Sequence, residues 1–483
     1  MDNVRVAVVG GGAAGLAAAV VAAERGAEVT LFEVKPRIGS SILATGNGRC
    51  NISNSQVSAA DYHNPDFVAE AFSCCGPERV WAFFNRLGLI MREEAQGRLY
   101  PATNKATSVL DVLRFAADEA GVTVETESEV VGVKPAGNQQ LVRFANGTMA
   151  FFDRTILAVG GGVAHSMLPA AYPFAPQRKV LCGLKTQTDS IKGLDNVRVR
   201  GRVTLLDGKT GEARIAEEEE TRQTKEVQEG EARQVKEVQE GEARQVKEVQ
   251  EGEARQVKAA EEGEIQFRTY GVSGVAVFNV SRFAKRGDVL SLDLLPELSL
   301  DQLEAELARR AAAHPHRDRV ELLAGMLLPA VARCVLHQSG IKRGEALGQS
   351  QVQRLASTIH SFKLQITGFK EELSQVRRGG FAVESFDPAT MESRLHAHVY
   401  LTGEALDVDG PCGGYNLHWA WTSGMLAGAA ATADLAAANG AQAGEAAAAN
   451  KAQAGEAIAA NKAQAAPCAK VRPRFATGER KDA

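Results

Sequence analysis

The chain opens on an apolar stretch that divides into three segments of different character. Val4–Val9 is continuously hydrophobic and predicts a buried strand, whereas Ala13–Glu24 has the length and composition of a helix. Glu28–Phe32 predicts a second strand after a short polar break. Strand, helix and strand in this order predict one βαβ unit, the building block of a parallel sheet covered by helices.

The same stretch is long enough for a membrane helix, because the run from Val6 to Ala23 contains 18 residues without a charge. Glycines interrupt it at positions 10, 11, 12 and 15, and the small-residue pattern of a signal cleavage site does not follow. A buried strand, turn and helix explains the run better. We therefore expect a cytoplasmic protein without a membrane segment.

Further along, the pattern changes several times. Residues from about Pro65 to Gly121 have a helical pattern, and antiparallel strands are predicted at Val122–Val133 and Leu141–Phe152. Thr155–Val159 predicts another buried strand. Between residues 181 and 297 short strands alternate with glycine turns, which is typical of a small β domain.

The second half returns to helices. Ser299 and Gln302 have the spacing of a capping box at the start of a helical stretch that reaches Phe362. Pro329 is expected to kink or split one of these helices. A strand-like pattern follows, and Asn416–Leu435 predicts a final helix.

Two segments repeat with a period of 11 residues. KEVQEGEARQV occurs three times from Lys225 to Val257, and AQAGEAAAANK from Ala441 is followed by a near copy from Ala452. The wider block Glu212–Glu264 holds 17 Glu against 9 Lys and Arg, a net charge of −8, which leaves +4 for the rest of the chain. We interpret the first segment as a solvated insertion and the second as a peripheral Ala-rich tail.

Composition narrows the class of protein. With 483 residues, 45% hydrophobic and 24% charged, the chain is long enough for two or three globular domains. A net charge of −4 gives no reason to expect a nucleic-acid surface. Seven cysteines without a CxxC motif argue against a disulfide scaffold, a zinc ribbon and a dithiol motif.

The turn after the first strand has the GxGxxG spacing. Gly10 permits the tight turn, Gly12 lets backbone approach a pyrophosphate, and Gly15 lets helix and strand pack closely. Glu33 ends the second strand, where a carboxylate can hydrogen-bond a ribose diol and would repel a 2′-phosphate. The alternative is a purely structural glycine turn. The residues predicted to bind a dinucleotide here are Gly10, Gly12, Ala13, Ala14, Gly15, Glu33 and Lys35.

Two later blocks favour FAD over NAD. The loop Thr45–Asn51 (TGNGRCN) is rich in glycine and asparagine, which permits positive φ and exposes backbone amides. Gly403–Asn416 places acidic residues after a strand and a Gly-Gly pair before the last helix, whose positive end would stabilise a reduced flavin. An ordinary polar turn and a glycine-rich strand-to-helix turn are the respective alternatives.

Seven motifs together resemble the BaiN/YhiN-like family of FAD-dependent oxidoreductases, which includes proteins called aminoacetone oxidases. They are VVGGGAAGLAAA, LATGNGRCNISN, GRLYPATNKA, ILAVGGG, FRTYGVSG, RRGGFAVESFDPATMESRL and GEALDVDGPCGGYNLHWAWTSGMLAG. The similarity covers nearly the whole chain except the two repeat segments.

This resemblance implies an α/β fold with a discontinuous, doubly wound (Rossmann-like) FAD-binding domain, an inserted β-barrel-like domain and a small helical domain. The expected boundaries are 1–180 and 363–436 for the FAD domain, 181–297 for the barrel with its insertion at about 212–264, 298–362 for the helical domain, and 437–483 for the tail.

The resemblance also assigns roles within the site. Gly10–Gly15 and Glu33 would hold the ADP half of non-covalent FAD, and Val131 is a candidate backbone contact to adenine by its strand position. The remaining predicted cofactor residues, around the ribityl chain and flavin ring, are Thr45, Gly46, Asn47, Cys50, Asn51, Gly160, Gly403, Glu404, Asp407, Gly413, Gly414, Tyr415 and Asn416. The family often has Thr at Arg377 and Pro at Val275, and an arginine near a flavin would alter its charge environment.

Beyond the cofactor the sequence gives only weak candidates. Tyr270 could reach substrate from the β domain and Arg98 could hold an anionic group, although a structural role is the simpler interpretation of each. Cys50 and Cys412 lie in the two flavin-facing blocks, where small buried thiols explain them better than a disulfide. Two His-x-His pairs lack a third ligand at metal spacing, so no metal is predicted.

A second complete GxGxxG is missing from the sequence, so any NAD(P)H would bind transiently at the flavin. We expect an FAD-dependent oxidoreductase that exchanges a hydride with a small organic substrate. The resemblance implies two chemistries, NAD(P)H-linked reduction of a steroid-like enone, favoured by a small margin, and oxidation of a small amine with O2. Further alternatives are an NAD-linked dehydrogenase and a non-catalytic flavin-binding sensor or scaffold. Nucleic-acid and membrane partners are not expected, and a homo-oligomer stays open.

Overall fold

The computed structural model describes residues 3–208, 256–342, 347–374 and 376–433. Its central element is a five-stranded parallel sheet in the order β19-β10-β1-β2-β6. The strands are β1 (Arg5–Val9), β2 (Glu28–Phe32), β6 (Thr123–Glu125), β10 (Arg154–Leu157) and β19 (Val399–Leu401). Strands from both ends of the chain build one sheet, which confirms the discontinuous Rossmann-like domain.

Helices from both ends of the chain pack on this sheet. α1 (Ala13–Glu24) has the predicted bounds, and the last helix (Tyr415–Ala430) ends five residues before the predicted Leu435. The two helices touch closely because Gly424 and Gly428 face α1. A Cβ at these glycines would lie 2.3 and 2.4 Å from the carbonyl oxygens of Ala14 and Ala18.

Residues 40–152 form the periphery of this domain. The helices are α2 (Ser40–Ala44), α3 (Pro65–Cys74), α4 (Pro77–Arg86) and α5 (Ala106–Glu119), and one small sheet has the order β3-β5-β4, formed by Ser53–Asn54, Arg98–Pro101 and Met91–Glu93. A second small sheet consists of β7 (Val130–Ala136), β8 (Gln139–Phe144) and β9 (Met149–Phe152).

One prediction for this region was confirmed and one was wrong. The stretch from Pro65 to Gly121 is largely helical, as predicted, and also contains the two short strands Met91–Glu93 and Arg98–Pro101, which pair with each other. The single strand predicted at Val122–Val133 is two strands, β6 in the parallel sheet and β7 in the antiparallel one. The break is a loop whose backbone binds the end of β2, a contact that local patterning does not encode.

The second domain is a closed six-stranded barrel in the order β12-β15-β14-β13-β16-β17. One helix, α6 (Val275–Ser281), packs against it, and the barrel has its own buried hydrophobic cluster. Val275 occupies the first helical position, where the family often has proline. Proline is favoured at the first position of a helix, so valine in its place is compatible with the same helix start. The strands are β12 (Gly183–Thr186), β13 (Arg198–Leu206), β14 (Val257–Arg268), β15 (Gly271–Ser273), β16 (Val289–Asp293) and β17 (Phe362–Lys370).

The barrel corrects two predicted boundaries. Residues 257–264, assigned by their charge to the end of the insertion, are the first part of β14. β17 runs from Phe362 to Lys370 and closes the barrel between β16 and β12, so the second part of the FAD domain, expected from residue 363, begins only after this strand. β13 and β14 pair as a hairpin, and the Asp207 N–H donates to the Gln256 carbonyl at 2.9 Å where their ends meet.

Helices between β16 and β17 form the small helical domain. They are α7 (Leu300–Ala313), α8 (Arg319–Leu322), α9 (Pro329–Gln338) and α10 (Gln349–His360). The capping box of Ser299 and Gln302 at the start of α7 is confirmed. Pro329 stands at the first position of α9, so it begins a helix instead of kinking one.

β11 (Phe174–Val180) and β18 (Val376–Phe381) form a two-stranded ribbon. In the sequence, each of these strands lies between a part of the Rossmann-like domain and the barrel. The final helix is α11 (Tyr415–Ala430). Most of the first repeat segment and all of the Ala-rich tail lie outside the described residues. Within the described part of the chain, the helices are too short or too polar to cross a bilayer.

Candidate functional site

The turn between β1 and α1 requires glycine at two positions. Gly10 has φ +108°, and a Cβ there would lie 2.4 Å from the Ala158 carbonyl oxygen. A Cβ on Gly15 would lie 1.8 Å from the Gly10 oxygen, so helix and strand can meet only with hydrogen at this position. Gly12 differs, because a Cβ there would contact only the Ser41 hydroxyl at 3.1 Å. The backbone at the start of α1 is thus open to a bound group.

Glu33 lies at the carboxyl end of β2, directly beside this turn. Its carboxylate is 8% exposed and accepts hydrogen bonds from the Gly11 N–H at 2.7 Å and the Lys35 N–H at 2.9 Å. These bonds fix the side chain where β2 ends. A carboxylate has about four acceptor sites, so it can still accept bonds from a diol.

Val131 lies close to this end of β2 through the loop that precedes β7. The Ser128 N–H donates to the Glu33 carbonyl at 2.9 Å. The pairing of β7 with β8 passes from Val130 to Gly132 and skips Val131, which lies in a bulge. A residue in a bulge has backbone groups outside the ladder, as a contact to a base requires.

The loop from Thr45 to Asn51 has the backbone that its composition predicts. Gly46, Asn47 and Cys50 have φ values of +54°, +55° and +59°. The Thr45 hydroxyl donates to the Ile42 carbonyl at 2.7 Å and anchors the loop. Burial raises the pKa of the Cys50 thiol to about 11, so it is a neutral buried thiol, and Cys50 and Cys412 are both free.

This loop meets the glycine turn before α11. Gly413 and Gly414 have φ values of +125° and +101°, and a Cβ on Gly414 would lie 2.3 Å from the Ser53 carbonyl and 2.9 Å from Asn51 Oδ1. Asn51 Oδ1 is buried and has no hydrogen-bond partner. An orphaned acceptor at the contact of two glycine-rich loops indicates a missing donor.

Glu404 lies at the same end of the sheet, together with two further predicted residues, Gly160 and Gly403. Its carboxylate accepts hydrogen bonds from the Gly161 N–H, at 3.2 Å, and from the Arg377 N–H. Burial raises the pKa of Glu404 to about 7, while these amides and the Arg377 charge act in the opposite direction. The neighbouring Gly160 has φ +69° and open space at its Cβ position, and Gly403 packs near Ala14 of α1.

The remaining residues of the block fix its shape. Asp407 accepts the Gly379 N–H at 2.8 Å and contacts His63; burial raises the pKa of Asp407, but these partners and Arg378 bring it below its usual value. The Asn416 side chain bonds both backbone groups of Gly410. These two predicted cofactor residues are therefore engaged within the protein.

A buried ionic cluster behind this block was not predicted. Asp409 is fully buried and accepts hydrogen bonds from Arg282 Nε at 2.8 Å and Arg378 Nε at 2.6 Å. Arg178 and Arg378 both donate to the Arg282 carbonyl. Arg282 follows helix α6 of the barrel, so the cluster joins the barrel to the block that carries Gly413 and Gly414.

A second unpredicted group lies where the barrel faces the glycine turn. Asn279 on α6 accepts the Cys412 N–H at 2.8 Å through Oδ1, and its side chain acts to lower the pKa of Glu261 of β14, against the larger effect of burial. The charges of Arg98 and Glu261 both act on Cys412 and on Tyr415. Arg98, a predicted candidate, therefore lies near this group.

Tyr270, the other candidate, lies against Gly183 and below the Lys370 ammonium on the barrel.

The residues that sequence reasoning missed had only weak signals. Glu261 was hidden in a charged segment, although the alternation of exposed Glu262 and Glu264 with Gly263 and buried Ile265 is a strand signal.

The residues present fit a flavin dinucleotide. The open start of α1, the carboxylate of Glu33 and the bulge at Val131 form one group of polar sites. The orphaned Asn51 oxygen and the turn of Gly413 and Gly414, both at positive φ, form a second group. Among the described residues no cluster of three or more His, Cys, Asp and Glu side chains is arranged to hold a metal.

Comparison with known proteins gives consistent matches. The family model described as HI0933-like protein Rossmann domain matches residues 4–430. A 3-dehydro-bile acid delta(4,6)-reductase of Clostridium scindens is 30% identical over 88% of this chain and 98% of its own length. A ribosomal RNA dihydrouridine synthase of Haemophilus influenzae is 25% identical over 86% of this chain and 95% of its own length.

The same name is carried by an Escherichia coli relative that is 26% identical over 88% of this chain and 96% of its own length. Among solved structures, the open conformation of a flavocytochrome c3 fumarate reductase covers 90% of this chain and 79% of that chain, with 13% identity and a TM-score of 0.38.

Proposed function

The chain belongs to the HI0933-like Rossmann family, and from that premise we propose that it binds FAD and reduces a carbon–carbon double bond conjugated to a carbonyl group. The family membership confirms the resemblance predicted from the motifs. The protein is a flavoprotein oxidoreductase; the substrate and the electron donor are the proposal.

The observation that carries the proposal is the contact of the barrel with the glycine turn before α11. The Cys412 N–H donates to Asn279 Oδ1 of the barrel helix at 2.8 Å. Polar side chains of the barrel thereby stand next to Gly413 and Gly414, which we assign to the flavin ring. A substrate between these surfaces would meet the cofactor on one side and barrel side chains on the other.

The relatives support the class of reaction. A delta(4,6)-reductase and a dihydrouridine synthase, as their names state, both saturate a double bond in conjugation with a carbonyl. The two substrates differ greatly in size, but the bond that changes is of the same kind. This shared chemistry favours reduction over amine oxidation.

Bound flavin would supply the hydride for this reduction. The chain's own groups bind, orient and exclude water. Gly12 and the first amides of α1 would hold the pyrophosphate and Glu33 the ribose diol. Asn51 would accept a hydrogen bond from the flavin ring, and Glu404 lies where it can accept one from a ribityl hydroxyl. NAD(P)H would donate electrons transiently from solution.

A second candidate substrate is a uridine in RNA. The observation that favours it is the name of the two relatives that match 86% and 88% of this chain. A net charge of −4 did not suggest a nucleic-acid substrate for this chain. Ribosomal RNA is the substrate named for those two relatives, and we include it as the second substrate in the test.

The test is the visible spectrum of the purified protein, followed by anaerobic titration. We expect a flavin band that NAD(P)H bleaches and that a steroid 4,6-dienone restores. Restoration by ribosomal RNA and not by the dienone would favour the second candidate. A protein that stays colourless after incubation with FAD would overturn the proposal. A band that aminoacetone bleaches and O2 restores would replace it with the amine oxidase alternative.

A further inference from the structure

The ribbon of β11 and β18 carries two pairs of directly opposed cations. Arg178 lies opposite Arg378, and Lys179 lies opposite Arg377 at the next position of the register. Directly opposed residues of an antiparallel pair share one face, with Cβ atoms about 4.5–5.5 Å apart, and successive residues alternate between the two faces. Each face of the ribbon therefore presents two positive charges, which costs stability unless an anion lies near them.

On one face the protein itself supplies the anion. Arg378 donates to both carboxylate oxygens of the buried Asp409, at 2.6 and 3.2 Å. Burial and the charge of Arg378 lower the pKa of Arg178, and the charge of Asp409 acts against them. The first pair of cations therefore has a buried carboxylate as its counter-ion.

The opposite face has no such carboxylate. In the part of the chain that the structure describes, Lys179 and Arg377 form no ion pair, and the Arg377 guanidinium has no hydrogen-bond partner. The Lys179 ammonium donates to the Glu371 carbonyl at 3.2 Å. The Glu404 carboxylate accepts the backbone amides of Gly161 and Arg377 instead of the guanidinium. Two half-buried cations thus lie on one face without a counter-ion of their own.

Arg377 lies over the glycine turn that follows β10. A Cβ on Gly162 would lie 3.5 Å from Arg377 Nε and 3.7 Å from Nη2, and a Cβ on Gly161 would lie 3.0 Å from Arg377 Cδ. Gly160, which begins this turn, has open space at its Cβ position, and Ala158 before it contacts the turn between β1 and α1. The guanidinium therefore stands beside the groups that we assign to the cofactor.

We propose that Arg377 and Lys179 form an oxyanion-binding subsite for the molecule that exchanges electrons with the bound flavin. The inference rests on the function proposed above, and it adds the chemical class of the ligand, a molecule with a carboxylate or phosphate group. A guanidinium offers such a group two parallel N–H donors, and an ammonium adds a compact charge. Both residues bind and orient the ligand and take no part in electron transfer.

The test compares R377T, R377K and R200T in the flavin-loaded protein. Thr suits a strand, Lys keeps the charge, and Arg200 is a control on the barrel with a 75% exposed side chain. For a dienone that carries a carboxylate, we expect R377T to raise KM about 10–100-fold with kcat nearly unchanged. R377K should recover part of this loss, and R200T should match the wild type. The methyl ester of the same dienone should be reduced equally by all four proteins.

A second arm identifies a phosphate ligand. If R377T instead raises the apparent Kd for NADPH in flavin bleaching, and the acid and its ester are still reduced as in the wild type, the occupant is a phosphate of the electron donor. Unchanged kinetics of R377T with both the acid and NADPH overturn the inference. A higher Kd for FAD in the R377T apoprotein also overturns it, because Arg377 would then belong to the cofactor site.

A third measurement needs no turnover. Calorimetric titration with inorganic pyrophosphate should show binding to the flavin-loaded wild type and R200T, and binding at least about 10-fold weaker in R377T. Equal pyrophosphate binding by R377T and wild type overturns the inference. If the wild type reduces no conjugated substrate, the proposed function fails instead, and the pyrophosphate titration still reports the subsite separately.

Discussion

Arg282 and Asp409 form a buried ion pair between the barrel and the cofactor domain, with Arg282 Nε donating to Asp409 Oδ2 at 2.8 Å. Arg282 is 5% exposed and Asp409 is fully buried. Arg282 also donates to the carbonyl oxygens of Asp61 and Asp409. One guanidinium thus holds together three segments that are distant in the sequence.

Replacing Asp409 with Asn should strongly destabilise the folded chain. Arg282 and Arg378 would lose the carboxylate that neutralises them, and breaking a buried pair from one side costs about 3–5 kcal/mol. The measurement is the free energy of unfolding in urea. Glu262→Gln, which breaks an exposed pair, should lower it by about 1 kcal/mol or less. Equal losses in the two variants would contradict a structural role for this cluster.

Gly12→Ala and Gly15→Ala should separate cofactor binding from folding. Gly12→Ala adds a methyl group where only the exposed Ser41 hydroxyl is near, so the protein should fold but bind FAD poorly. Gly15→Ala places a methyl group 1.8 Å from a backbone oxygen and should give insoluble protein. Soluble yield and the ratio of flavin to protein absorbance check both. A flavin-saturated Gly12→Ala protein would argue against the assigned pyrophosphate position.

Asn51→Leu should weaken flavin binding without destabilising the apoprotein. The Asn51 oxygen has no partner to lose, so the urea midpoint of the apoprotein should be unchanged or higher. The Kd for FAD, measured by fluorescence quenching, should rise about 10-fold if the flavin supplies the missing donor. Asn54, which makes three hydrogen bonds, is the control, and Asn54→Leu should destabilise the apoprotein by about 3 kcal/mol.

His418 should make the protein sensitive to acid. Burial lowers the pKa of His418 to about 3 from an ordinary value of 6.5. Between these two pH values the histidine is protonated in the unfolded chain and neutral in the folded chain. Stability from this group is present above pH 6.5 and is lost as the pH falls toward 3. At pH 5 the loss is about 2 kcal/mol relative to neutral pH. Chemical unfolding at several pH values measures it.

The control for this prediction is a second histidine. His418→Gln should flatten the dependence of stability on pH between 6.5 and 4, whereas His316→Gln, at an exposed loop position, should leave it unchanged. An acid dependence that persists in His418→Gln would assign the effect to other groups.

Removing the repeat insertion should leave the enzyme intact. Residues 209–255 connect strand ends that already share the hydrogen bond between Asp207 and Gln256 at 2.9 Å. An Asn-Gly turn in their place would suit a hairpin. Flavin content, melting temperature and dienone reduction should be unchanged. Loss of flavin would contradict the prediction, and a protein without turnover would keep the scaffold alternative open.

Local structure was the part that the sequence predicted best. α1 and β2 have the predicted residues, because apolar periodicity and a glycine turn act over a few neighbouring positions. The positive φ values of Gly46 and Asn47 likewise follow from residue type. The structure also brings Asn51 beside Gly414 and Glu404 beside Gly161, while the cofactor role of these residues stays a prediction.

Long-range contacts were beyond such reasoning. Arg282 and Asp409 are 127 positions apart, and nothing local in either segment specifies the other. Glu261 was assigned to a solvated insertion because its charge resembles the repeats, while the barrel face it occupies is set by pairing with β13. β17 was assigned to the wrong domain for the same reason, since closure of a barrel depends on strands far apart in the chain.

The contact of Gly424 and Gly428 with α1 has a consequence for synthesis in the cell. Gly15 and Gly403, at the two halves of the cofactor site, are separated by 388 positions, and α11 follows the second of them. At the usual speed of translation the ribosome needs about 20–80 s to make that interval. For this time α1 is without its partner helix, so we expect the proposed cofactor site to be complete only when the chain is nearly finished.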